Sequence, residues 1–298
     1  MSSDVVVLGA SGTAGRLIAD ELTDRGIGVV RASRGGPVPL DLADPAGLRR
    51  ITASGGVVIN TVGPFARLAP AVVAACLETG THYVDIGNER ASVRALLDRA
   101  DIARQRGVSL VAGAGFGLVA TESLILTLLA SGVQPARVIV ATAASSAHDT
   151  VGVRATVAET MADGATTYVG GQLVRAPIGQ GATTLTFGGA TRQVIPVPVG
   201  DLEAARHLTG APDVIAYTAP RDTDDDRSHA YAAITDPNGV THTAELVTGE
   251  GFEFTAAAAT EAAVRLLSGA KPGAWTPCDL LGLDLATDIP STSIHIGQ

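Results

Sequence analysis

The stretch Asp4 to Arg16, "DVVVLGASGTAGR", constrains the fold more than any other part of the chain. Four apolar residues, Val5 to Leu8, run into Gly9, Gly12 and Gly15, and Ala14, Leu17, Ile18 and Leu22 then recur at helical spacing up to Gly26. That order predicts strand, glycine turn and helix. Such a turn lets backbone N–H groups approach a pyrophosphate, and the helix N-terminus adds a partial positive charge of roughly half a unit. Ala10 stands where the usual dinucleotide fingerprint has its first glycine, so the match to that fingerprint is partial. The next strand, Ile27 to Ala32, should end beside the adenosine ribose, where NAD-selective sites place an acid for the 2′-hydroxyl. Here Arg31, Ser33 and Arg34 follow instead, a set of donors suited to a 2′-phosphate, and the expected cofactor is NADP.

Strand and helix signals alternate through the first third of the chain. A strand at Val38 to Leu42, the N-cap and first-turn proline Asp44-Pro45, the strand "VVIN" and the turn "TVGPF" come first. A helix from Leu68 to Gly80, "HYVDI", a charged helix from Glu89 to Arg106 and "VSLVAGAGF" follow. This is the pattern of an α/β, Rossmann-type doubly wound parallel sheet. After an apolar helix at Leu118 to Ala130, period-two runs such as "ARVIVATAA" and "TTLTF" predict a second, α+β unit with a mostly antiparallel or mixed sheet. Its clearest piece is "HAYAAITDPNGVTHTAEL", two alternating strands joined at Asp236-Pro237-Asn238-Gly239. The alanine-rich helix "TAAAATEAAVRLLSG" then returns towards the first unit. The expected division is a nucleotide-binding domain over 1–118, a substrate and dimerisation unit over 119–250, and a C-terminal helix and tail over 251–298.

Composition narrows the function. With 46% hydrophobic and only 3% aromatic residues, the core must be built from Val, Leu, Ile and Ala. A net charge of −9 without a basic stripe argues against a nucleic-acid partner. Cys76 and Cys278 form no C-x-x-C pair; Cys76 reads as a buried thiol, and the compartment reads as reducing. Met1 to Asp4 carries no signal-peptide charge, and Leu118 to Val133 is broken by Thr121, Glu122 and Ser123, so no membrane span is expected and the location reads as cytoplasmic. The acidic run Asp222 to Asp226 reads as a solvated loop, without a metal-ligand pattern.

The segment "NTVGPFARLAPAVVAACLETGTHYVDIGNE" closely resembles the one that marks the saccharopine dehydrogenase-like family, including its trans-acting enoyl reductase branch. "GAGFGLVATESL", "VGDLEAARHLTGAPDVIAY" and "GAWTPCDLLG" resemble further family segments, so the likeness covers nearly the whole chain. It implies a Rossmann domain, a second α/β domain and a cleft between them. Carried over residue by residue, it implies that Gly9, Ser11, Gly12, Thr13, Ala14 and Gly15 line the pyrophosphate and that Ser33 and Arg34 hold the 2′-phosphate. Asp41 and Leu42 would lie near the adenine, and Thr61, Val62, Gly63, Pro64 and Phe65 would border the ribose and nicotinamide. The chain departs from the family at "DIGNE", where Asn88 stands between Gly87 and Glu89.

A nicotinamide reductase needs a held hydride donor and, usually, an acid. Tyr83 and Asp85 share one face at the end of a strand and are the expected catalytic pair, with His82 on the other face. Phe65, Phe116, His148 and Arg154 are the expected substrate contacts. The Tyr-x-x-x-Lys pair of short-chain dehydrogenases is absent, since the sole lysine, Lys271, has no tyrosine before it. The expected activity is NADPH-dependent reduction of an activated C=C bond in a small-molecule intermediate by a homodimer. The alternatives are imine reduction, saccharopine-like amino-acid dehydrogenation and a non-catalytic NADP sensor.

Overall fold

The computed structural model describes residues 4–145, 150–220 and 225–297. The first unit runs β1 (Val5–Leu8), α1 (Thr13–Asp24), β2 (Val29–Ser33), β3 (Val38–Pro39), α2 (Pro45–Thr52), β4 (Val57–Asn60) and α3 (Phe65–Thr79). It continues through β5 (His82–Asp85), α4 (Arg90–Leu97), α5 (Ala100–Arg106), β6 (Ser109–Val111) and α6 (Phe116–Leu129). The second unit holds β7 (Arg137–Ala143), α7 (Val151–Ala162), β8 (Ala165–Val169), β9 (Gln172–Ala176), β10 (Thr183–Phe187), β11 (Ala190–Pro196) and α8 (Gly200–Thr209). Then come β12 (Asp213–Thr218), β13 (Ser228–Thr235), β14 (Thr241–Thr248), α9 (Gly251–Ser268), β15 (Gly273–Trp275), α10 (Pro277–Leu281), α11 (Asp284–Thr287) and β16 (Ser293–Ile296).

The first sheet has seven strands in the order β15-β6-β5-β4-β1-β2-β3, and every pairing is parallel. Alternation along β1 explains its two layers. Val5 and Val7 pack with Ile18 and Leu22 of α1 and with Ala259, Ala262 and Ala263 of α9. Val6 and Leu8 face the opposite layer, where Leu48, Val72, Val73, Cys76 and Leu96 come from α2, α3 and α4. The alanines of α9 let it lie close against α1, which is how a core with few aromatics is filled. The second sheet runs β10-β11-β12-β7-β13-β14-β16, with β8 beside β12 and β9 beside β8. Among the described residues only β12 and β7 pair in parallel in this sheet, so it is mixed. It packs against α6, α8 and α9.

Several expected boundaries shift for local reasons. Asp44 caps α2 as expected, accepting from the Ala46 N–H, with Pro45 in the first turn. The strand expected at Val38 to Leu42 is only Val38–Pro39, because its partner β2 ends at Ser33, whose carbonyl accepts from the Leu40 N–H. The charged helix expected over Glu89 to Arg106 divides at Asp98 and Arg99 into α4 and α5. The C-terminal segment does not return only to the first unit. α9 and β15 join it, whereas β16 pairs with β14 of the second sheet. Of the run expected to be a solvated loop, residues 222–224 lie outside the described residues, Asp226 is exposed, and Asp225 is half-buried with its carboxylate paired to His229 at 2.6 Å and Arg192 at 3.5 Å. Both cysteines are unpaired and buried. Among the described residues no helix is long and apolar enough to cross a membrane.

Candidate functional site: a cavity at the carboxyl ends of the parallel strands

Strand order reverses between β1 and β4, and the loops leaving β1, β4, β5 and β6 open together there. Doubly wound sheets bind ligands at such a point. A cavity of about 570 Å³ lies over these loops and is closed from above by α7 and by the first turn of α9.

Its nucleotide end is built by glycines. Gly9 has φ +81°, in the left-handed region, and a Cβ on it would lie 2.5 Å from Thr61 Oγ1. A Cβ on Gly15 would lie 2.3 Å from the Gly9 carbonyl oxygen, so the turn closes only around glycine. Gly12 is the N-cap of α1 and supplies no side-chain cap, which leaves the first-turn N–H groups for a ligand. Ser11, Gly12, Thr13, Ala14, Gly15 and Arg16 all line the cavity. Arg16 was not among the expected contacts, since nothing in the sequence marked it from other surface arginines.

At the end of β2, Ser33 is buried and its Oγ has no partner among the described residues, while Arg34 is exposed and forms no ion pair there. An orphaned hydroxyl beside a free guanidinium fits a phosphate. Arg31 does not join them. Its guanidinium turns back onto α1, bonding Asp20 at 2.6 Å, the Ala19 carbonyl and Thr23 Oγ1. Asp41 accepts from the Ala43 N–H and Leu42 is half-buried, both just past β3 and outside the cavity lining.

Thr61, Gly63 and Phe65 line the middle of the cavity. Thr61 Oγ1 donates to the Leu8 carbonyl, and the Val62 N–H donates to Asn60 Oδ1, fixing the loop that precedes Pro64. Glu89, which the sequence reading left without a role, caps α3. Its carboxylate accepts from the N–H groups of Phe65 at 2.7 Å and Ala66 at 2.6 Å. Phe116 lines the far end and meets Phe254 edge-on at 5.6 Å. Thr255 of α9 accepts from the Phe116 N–H, so the C-terminal helix also shapes this wall.

Tyr83 and Asp85 do not face this cavity. Tyr83 is 0% exposed within the layer under α3. Its hydroxyl accepts from Asn60 Nδ2 at 3.1 Å and donates to Asp85 Oδ2 at 2.9 Å. Asp85 Oδ1 accepts from the N–H groups of Gly87 and Gly113, and burial pushes its carboxyl up to about 6. The two residues share a face, as strand alternation requires, but it is the core face. Asp85 borders only a separate void of about 30 Å³ between α3 and α4. Arg154 is exposed on α7 outside the lining, although its neighbours Val153, Thr156 and Val157 form part of the wall. His148 lies outside the described residues.

Among the described lining residues the only charged side chain is that of Arg16. The remainder is aromatic, aliphatic, glycine, hydroxyl and one amide, Asn88.

Residues 7–111 match the family described as saccharopine dehydrogenase NADP binding domain. The trans-acting enoyl reductase of Mycobacterium bovis (strain BCG / Pasteur 1173P2) is 29% identical over 140 residues, covering 40% of this chain and 34% of that protein. Its counterpart in Mycobacterium leprae is 31% identical over 140 residues with the same coverage. The chain thus spans about a third of the length of these relatives. Apo saccharopine dehydrogenase (L-Glu forming) from Saccharomyces cerevisiae has a similar fold, with TM-score 0.64 and 12% identity over 99% of this chain and 100% of that one. A meso-dapdh mutant from Clostridium tetani also shares it, with TM-score 0.53 and 14% identity over 96% and 97% of the two chains. The glycine cradle thus lies within residues 7–111, which carry a saccharopine dehydrogenase NADP binding domain, and the two-sheet architecture is similar to that of the yeast saccharopine dehydrogenase.

Proposed function

We propose that the protein is an NADPH-dependent reductase of a C=C bond conjugated to a carbonyl in a small, neutral molecule. The observation that carries this reading is the cavity wall, apolar and hydroxyl-lined, with no ionisable side chain at the described substrate end. An amino-acid substrate with several charges would lose its hydration there without ion pairs to replace it. The names of the mycobacterial relatives support the enoyl side, and the two 2′-phosphate candidates, Ser33 and Arg34, support the reducing cofactor.

When bound, NADPH supplies a hydride. The chain's own part is to hold the dinucleotide through Gly9 to Arg16, Ser33 and Arg34, and to press the acceptor between Phe65, Phe116 and the apolar side of α7. The same reading includes a cytoplasmic homodimer, supported by the unpaired buried thiols and by the half-buried Ile139, Ile215 and Tyr231 on the face of the second sheet away from α6.

The test is NADPH oxidation with a panel holding 2-cyclohexenone, a cyclic imine and a charged amino-acid imine, using NADPH deuterated at the transferable position. Deuterium on the β-carbon of the enone product is expected. Turnover of the imines with none of the enone would replace this reading by imine reduction.

A further inference from the structure

Asn88 lies in the loop that leaves the carboxyl end of β5. Its side chain is half-buried and lines the cavity. Oδ1 accepts from the Gly200 N–H at 3.0 Å, at the first turn of α8, so the other end of the amide, Nδ2, points the opposite way. Two glycines from different units make room for it. A Cβ on Gly117 would lie 2.5 Å from Nδ2, and a Cβ on Gly200 would lie 2.9 Å from Oδ1. Behind Nδ2 is Asp201, buried, whose Oδ1 accepts from Thr121 Oγ1 at 3.1 Å. Asp201 Oδ2 lies on the same side of Gly117 as Nδ2; desolvation raises the Asp201 carboxyl, and hydrogen bonding from the Asn88 amide opposes this by favouring its charged form.

The amide is therefore fixed in orientation, flanked by a carboxyl that attracts one of its N–H bonds, and left with a second N–H on a wall that is otherwise apolar and hydroxyl-bearing. An oriented polar group on a largely apolar cavity wall is placed to fix the orientation of a ligand. We propose that Asn88 Nδ2 is the donor that binds the substrate's carbonyl oxygen, making the neutral conjugated carbonyl the recognised group. This rests on the reductase reading. As hydride from NADPH adds to the β-carbon, the C=C electron pair moves towards the carbonyl and charge gathers on its oxygen, against the Asn88 N–H. The α-carbon then takes a proton from water, and NADP⁺ is left.

The experiment separates recognition from turnover. Protein loaded with NADP⁺, which has no hydride to give, is titrated with cyclohexanone and with methylenecyclohexane, the same ring with C=O replaced by C=CH₂, and both dissociation constants are read by NMR. In Asn88→Leu and Asn88→Ala the preference for the ketone over the alkene should fall about tenfold relative to the unaltered protein, or about 1.4 kcal/mol. The Asn88 carbonyl also accepts from the Gly200 N–H at 3.0 Å, so neither variant strands that donor. In the unaltered protein the Asn88 side-chain amide signal should move with cyclohexanone and stay with methylenecyclohexane, a readout that needs no variant. An unchanged preference, a still amide signal or no binding of cyclohexanone overturns the proposal. A tenfold fall in preference with 2-cyclohexenone left unreduced by NADPH overturns the reductase reading alone.

Discussion

Replacing Tyr83 by Phe separates a proton donor from a structural strut. The hydroxyl is wholly buried and joins Asn60 on β4 to Asp85 on β5. Its loss leaves the Asn60 Nδ2 and Asp85 Oδ2 atoms without that partner, and each stranded buried group costs about 1–3 kcal/mol. The two penalties share one network and do not add fully, so Tyr83→Phe should lose about 2–4 kcal/mol. For a chain of this size that lowers Tm by roughly 3–6 °C. Asp85 keeps the Gly87 and Gly113 N–H groups, so the loop into α6 should hold its shape once folded. Urea melts and NADPH oxidation with 2-cyclohexenone, run on one sample below the variant's melting range, measure both quantities. The expected outcome is a large fall in stability with kcat within about threefold and NADPH affinity kept. A kcat loss of about 10²–10⁴ with stability intact is what general-acid loss would give, and it would refute the strut and restore Tyr83 as the acid.

Arg34→Ala should weaken NADPH about ten- to a hundredfold and NADH little, whereas Arg31→Ala should leave both nearly unchanged because Arg31 is engaged with Asp20; equal losses for both cofactors would remove Arg34 from the 2′-phosphate. Gly12→Val should abolish cofactor binding in a protein that still melts cooperatively, while Gly15→Val should disrupt the fold, since its Cβ meets the Gly9 carbonyl; paired melts and titrations check this, and two folded variants would show the turn to be pliant. Glu122 is buried and its carboxyl is pushed up to about 8 by desolvation. The folded chain holds that proton while the unfolded chain releases it near 4.5, so this group's stability contribution falls as pH rises through that window and is fully lost above about 8, by up to about 5 kcal/mol. Glu122→Gln should therefore gain on the unaltered protein as pH rises from 5 to about 9, and parallel Tm curves across that range would contradict it.

The sequence disclosed whatever was local. The glycine turn, the Asp44 cap, the hairpin at Asp236 to Gly239 and the alanine-rich helix are all set by neighbours a few residues away, and all appear in the structure. Strand alternation correctly put Tyr83 and Asp85 on one face, but it cannot say which face lies under a helix and which borders a cavity. The division between α4 and α5 carries no glycine or proline, because it follows from where they dock, α4 against α8 and α5 against β15. Asn88 was legible only as a departure from the family pattern. Its meaning depends on Gly200, 112 residues further on. Glu89 acts on Phe65, 24 residues back, through the backbone of another element, a relation that no spacing rule encodes.

The pairing of β15 with β6 also bears on how the protein is made. Ser109 Oγ donates to the Lys271 carbonyl, 162 residues later in the chain, at the edge where β15 completes the first sheet. At a synthesis rate of about 5–20 residues per second, β6 waits roughly 10–30 s on the ribosome with its outer backbone groups unpaired. During that interval the nucleotide-binding half is an open sheet with an apolar rim, able to capture another strand. Arrival of Gly273 to Trp275 covers β6 with an edge strand of three residues, so a segment from the last tenth of the chain serves as a timed cover on the first third.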